Sequence, residues 1–142
     1  EISKVQQLIL RDKPSLLLQT NGGMFKGNNN QYCWTRDIPH NQAQLLVNEL
    51  SKYFQIFHVT RPECRELVNT ERVAEIDKRT LMLMAGVANK RVLIDSCLQH
   101  AAAAFNAPST VLRVGTQPDL VTRFIIILSQ LYHWIKKKIL LI

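Results

Sequence analysis

The stretch VLIDSCLQHAAAAFNAPSTVLRVG, Val92 to Gly115, decides the fold. It opens on an apolar run that reaches from Arg91 to Asp95, too short for a helix and free of alternation, as a strand buried on both faces would be. Ser96 to Phe105 follows with helix formers, and Asn106-Ala107-Pro108 stops it. Ser109 to Val114 is apolar and β-branched again. Strand, helix and strand within so few residues make a βαβ unit, whose two strands are parallel.

Working outward, the same alternation recurs. Ile2, Val5, Leu8 and Ile9 fall on one face of a short helix that ends before Pro14. Ser15 to Gln19 reads as a first strand. Pro39 suits the first turn of a helix, and Ala43, Leu46, Val47, Leu50 and Phe54 carry its apolar stripe. Gln55 to Thr60 is a second strand, and a short third is placed at Arg72 to Ala74. Asp77 caps a helix with Leu81, Met84, Ala85 and Ala88 on its inner face. Pro118 opens a long final helix. Five strands alternating with helices predict an α/β fold: a Rossmann-like doubly wound parallel sheet, three-layer α/β/α, in the order 3-2-1-4-5.

The chain's 142 residues are the size of one domain. With 18 Lys and Arg against 11 Asp and Glu, the charge of +7 favours anionic partners without choosing among nucleotide, nucleic acid and lipid surface. Cys33, Cys64 and Cys97 show no metal-ligand spacing and read as small buried or half-buried thiols in a reducing compartment. No metal site and no cofactor are expected. There is no GxGxxG, Walker or Gly-x-Ser-x-Gly pattern, which argues against a standard dinucleotide site, a P-loop or a serine hydrolase.

In such a sheet, ligands bind beyond the carboxyl ends of the strands where the winding reverses, between strands one and four. Strand one delivers Thr20 to Pro39, a long loop with three glycines and four asparagines. Strand four delivers Asp95-Ser96 and a helix start, whose free N–H groups suit a phosphate. His100 lies one turn in, beside Ser96, and Lys26 supplies a mobile positive charge. The crevice therefore suits an anion such as a diphosphate. Each feature also has a plainer reading: Asp-Ser as an ordinary cap, His100 as an interior histidine, Gly22-Gly23 as turn residues.

The segment from Asp95 to Pro118 resembles the signature of the heptosyltransferase-like glycosyltransferases, glycosyltransferase family 9. In that family a strand ends in Asp-Ser/Thr-Gly, followed by a spacer, a His and an Ala-rich helix. A small residue with Pro, a strand and a Gly-Thr-x-Pro turn come next. Asp95, Ser96, His100, Ala101 to Ala104, Pro108, Gly115, Thr116 and Pro118 match that run, and Cys33 to Pro39 (CWTRDIP) is similar to the family's Trp-centred segment. The likeness extends from Leu16 to about Pro118 and is specific only from Asp95 onward.

The resemblance implies the carboxyl-terminal, donor-binding domain of a GT-B enzyme, with the acceptor domain and its general base outside this chain. It implies inverting transfer from a nucleotide-sugar, ADP-heptose being common, to a glycan or lipopolysaccharide-type acceptor, without a metal in the transfer step. The whole enzyme is then a cytoplasmic glycosyltransferase at the inner face of the membrane, and this domain alone binds donor without turnover. Asp95, Ser96, the Cys97 amide and His100 would hold the donor, with Thr20, Asn21 and Gly22 as the phosphate-side loop. Two positions depart: Cys97 stands where the family has Gly, and Tyr32 where it has Lys, a charge that Lys26 or Arg36 would have to replace. Asp37 and Glu63 have no feature that marks either as a base.

Two other readings stay open. One is a basic interaction module: the tail carries Trp134 and Lys136 to Lys138, which suit an anionic membrane or packing on a partner domain, while RNP-like aromatics and a dense basic stripe for nucleic acid are lacking. The other is an inactive homologue of the family.

Overall fold

A computed structural model describes residues 1–9, 12–22 and 36–112. The elements are α1 (Ile2–Ile9), β1 (Ser15–Gln19), α2 (His40–Leu50), β2 (Gln55–Val59), β3 (Glu71–Val73), α3 (Lys78–Val87), β4 (Lys90–Ile94), α4 (Cys97–Ala104) and β5 (Thr110–Leu112). All four strand pairings are parallel and the order is β3-β2-β1-β4-β5. The fold is α/β and Rossmann-like, with the winding reversing between β1 and β4. The final helix expected from Pro118 lies outside the described residues.

Parity along the strands assigns each side chain to one of two cores. Leu16 and Leu18, with Ile56, Val92 and Ile94, pack against Ala43, Leu46, Val47 and Leu50 of α2. Leu17, with Phe57, Val59 and Leu93, packs against residues of α1, α3 and α4. Both faces are covered, so the central strands carry consecutive apolar residues, Leu16 to Leu18 and Val92 to Ile94, rather than an alternation. Each fully buried Leu contributes about 2 kcal/mol.

Two expectations change. The β2–β3 connection holds no helix; it is a chain of turns in which Leu67 is buried in the α2-side core and Asn69 takes a positive φ of 65°. Strict strand–helix alternation fails there because one buried leucine does the covering. In α1, Val5 and Ile9 are buried, but Ile2 and Leu8 are 49% and 51% exposed. Among the described helices it packs chiefly on α3, and only part of its stripe meets protein.

The interior cation Arg91, 6% exposed, holds the α3 end to the sheet. Its guanidinium donates to the carbonyls of Ala85, Gly86, Ala88 and Pro108. Three of these belong to the end of α3, where helix carbonyls lack intrahelical donors. Burial pushes the Arg91 pKa down from its ordinary value. Gly86 lets α4 approach: a Cβ there would sit 2.7 Å from the Phe105 ring. At the amino end of β1, the Asn89 side chain accepts from the Ser15 amide at 2.9 Å, and the Asn89 amide donates to Ser15 Oγ at 3.1 Å. That clamp aligns the amino ends of β1 and β4.

Candidate functional site

The start of α4 stands at the carboxyl end of β4, beside β1. Ser96 is extended (φ −154°, ψ 176°) and caps the helix, its Oγ accepting from the Leu98 amide at 3.2 Å. The same hydroxyl donates to Gln19 Oε1 at 2.5 Å, and Gln19 Nε2 donates to the Asn21 carbonyl at 3.2 Å. Ser96 and Asn21 are thus joined across the winding reversal through Gln19. Asp95, Cys97 and His100 are exposed around the helix start, and the Asp95 carboxylate accepts from Gln99 Nε2 at 2.7 Å. The Cys97 amide makes no hydrogen bond with the described residues. Ala101 and Ala102 are buried and bring the helix close to the sheet. The ordinary-cap reading of Ser96 is therefore correct, whereas His100 is no interior histidine. Cys97 is an exposed thiol, contrary to the buried or half-buried expectation, and Cys64 is half-buried.

Other expected site residues are engaged elsewhere. Thr20 has the parity of Leu16 and Leu18, so its side chain faces the α2 layer, away from α4. There its Oγ1 lies 2.7 Å from His58 Nε2. Asn21 ties β1 to β2: its Nδ2 donates to Thr60 Oγ1 at 2.9 Å and its Oδ1 accepts from the Arg61 amide at 3.2 Å. The Gly22 amide donates to Asp37 Oδ1 at 2.9 Å. A Cβ on Gly22 would fall 2.6 Å from Arg36 Nε, so the Arg36 side chain lies against this glycine. Lys26 lies outside the described residues, as do Tyr32, Cys33 and the Gly115 to Pro118 turn. The structure brings Asp95, Ser96, Cys97 and His100 together, links them to Asn21, and turns Thr20 to the other face.

The α2 side holds residues that the sequence reading passed over. Asp37, 1% exposed, faces Arg61 Nη2 at 3.6 Å, and Arg61 Nε lies 3.6 Å from Glu63. Arg61 thus pairs with both carboxylates. A pocket of about 200 Å³ opens beside them, lined by Thr20, Asn21, His40, His58 and Arg65 over an apolar floor. Burial, then the charges of Arg72 and His40, push His58 down to about 4. The available signals were a histidine inside the apolar strand QIFHVT and a Gln closing SLLLQ.

Among the described residues, no cluster of three or more His, Cys, Asp or Glu side chains could hold a metal ion. No described helix is long and apolar enough to cross a membrane. No family model matches the chain, and neither the curated proteins nor the solved structures provide a match.

Proposed function

We propose that the chain is the nucleotide-sugar-binding domain of an inverting glycosyltransferase of the heptosyltransferase-like kind, with the donor diphosphate at the start of α4. The observation that carries the reading is an open helix start at the winding reversal, with one uncommitted amide at Cys97 and exposed polar side chains at Asp95 and His100. Helix amides and the helix dipole stabilise negative charge at this position.

In this reading the Cys97 amide and His100 meet the diphosphate, and Asp95 accepts from sugar hydroxyls. Gln19 holds the Ser96 hydroxyl in place. With the Gly22 amide committed to Asp37 and the Asn21 side chain to β2, the β1 side contributes the Arg36 guanidinium beside Gly22. Departure of the nucleoside diphosphate concentrates charge on the leaving phosphates. Fixed dipoles stabilise that charge without reorganising. Deprotonation of the acceptor hydroxyl falls to a carboxylate from a second domain. The acceptor is a glycan of the lipopolysaccharide type.

Isothermal calorimetry with ADP, GDP, UDP and dTDP tests the reading. One of them should bind, and Asp95→Ala and His100→Ala should each weaken it by roughly fivefold or more. Absence of heat with all four nucleotides refutes it.

A further inference from the structure

A glutamine closes β1, a strand otherwise made of leucines. Gln19 shares the parity of Leu17, so its side chain enters the layer of α1, α3 and α4, where the residue is 6% exposed. A buried side-chain amide is costly unless both of its ends are bonded. Here both are: Nε2 donates to the Asn21 carbonyl at 3.2 Å, and Oε1 accepts from Ser96 Oγ at 2.5 Å. A backbone carbonyl only accepts, so the Asn21 oxygen fixes which end of the amide is Nε2. Oε1, which carries no hydrogen, is left facing Ser96. The single hydroxyl proton of Ser96 therefore goes to Gln19, while its oxygen takes the Leu98 amide at 3.2 Å.

Ser96 then has no proton left for a ligand, although the resemblance implies that it holds the donor. What it does is orient the backbone. The Ser96 carbonyl and the Cys97 N–H belong to one planar peptide unit and point in opposite directions. The Gln99 amide holds that carbonyl at 3.3 Å, so the Cys97 N–H is aimed away from the helix. Gln19 in turn has a firm anchor. Asn21 is tied to β2 at two points, through Thr60 Oγ1 at 2.9 Å and the Arg61 amide at 3.2 Å.

We infer that Gln19 is a positioning residue of the proposed donor site. Without touching the ligand, it fixes Ser96, and through Ser96 the Cys97 amide, relative to the ends of β1 and β2. The inference rests on the donor reading.

The test is calorimetry of the whole chain with ADP, GDP, UDP and dTDP, using Gln19→Met, Ser96→Ala, the double variant and Asn89→Ala. Methionine matches glutamine in length and keeps the layer filled. Gln19→Met should weaken the best-bound nucleotide roughly fivefold, and Ser96→Ala should do the same. The double variant should bind no more weakly than the weaker single one, because both changes remove one contact. Asn89→Ala cuts the tie at the amino ends of β1 and β4. It should lower the thermal midpoint and leave the nucleotide Kd unchanged, which separates positioning from general loss of stability. Thermal melts check that each variant is folded. Gln19→Asn, polar but too short to reach Ser96, should show the same loss and serves if the methionine variant does not fold. The inference is overturned if the Gln19 variants bind as tightly as the parent or tighter, if the two single losses multiply to about twenty-fivefold, or if Asn89→Ala weakens binding equally. A parent that binds none of the four nucleotides removes the donor reading and this inference together. A parent that binds, with Gln19 variants that bind equally well, overturns this inference alone.

Discussion

The end of α3 and the carboxyl edge of the sheet treat polar groups in opposite ways. At the end of α3, Arg91 enters the interior and meets four carbonyls, so helix end and cation complete each other. At the carboxyl edge, partners run short: the Cys97, His40 and Asn41 amides and the His58 Nδ1 lack a hydrogen bond among the described residues. Polar completeness stabilises the first region. Polar surplus at the second leaves the amide that the proposed donor site uses at the α4 start. The two regions sit on one sheet.

The strongest way to break the contrast is Arg91→Met. It fills similar volume but strands four carbonyls, and urea unfolding should show a loss of about 3–5 kcal/mol. A loss below about 1 kcal/mol would place Arg91 among ordinary surface cations.

Acid comes next. His58 has its pKa lowered from 6.5 to about 4, so the unfolded chain binds a proton that the folded chain refuses. Its contribution is fully present above pH 6.5 and is lost as pH falls through the window from 6.5 to 4. The loss should reach on the order of 3 kcal/mol. Denaturation curves across this range, with His58→Phe as the reference, measure it. A pH dependence that survives the substitution would assign the effect to other groups.

Ser96→Ala sharpens the comparison at the α4 start. Loss of the cap and of the contact with Gln19 should cost about 1 kcal/mol, read from the thermal midpoint. The smallest expected effect is chemical. Cys97 is exposed beside the proposed diphosphate site, so a bound nucleoside diphosphate should slow its alkylation by a maleimide, with peptide mapping as the readout. Equal rates with and without nucleotide would separate the ligand from this helix start.

Much of the scaffold was legible before the structure. SLLLQ, QIFHV and the apolar run before Asp95 read as doubly buried strands because they lack alternation, and their order is the common doubly wound one with right-handed crossovers. Asp77 and Ser96 were recognisable as caps, and both cap: the Asp77 carboxylate accepts from the Thr80 amide at 3.0 Å. The site was only half legible. A helix start announces itself by local residue type, as at Asp95-Ser96. The facing of Thr20 depends on strand parity relative to layers whose contents are set by distant helices. Position along the chain therefore did not reveal that Thr20 turns from α4 toward His58. The missing β2–β3 helix has a similar origin, since the burial of Leu67 depends on how α2 lies over the sheet.

What the sequence determined by itself was local and periodic: where strands and helices begin, which strands are covered twice, and that the sheet is parallel. These follow from short-range sterics, hydrogen-bond closure and the burial of apolar runs. Tertiary structure alone decided the pairings between residues far apart in the chain: Gln19 with Ser96, Thr20 with His58, Asp37 with Arg61, and Arg91 with the end of α3. A polar side chain takes whichever partner the packed layers bring within about 3 Å, and that distance exists only after the layers have closed.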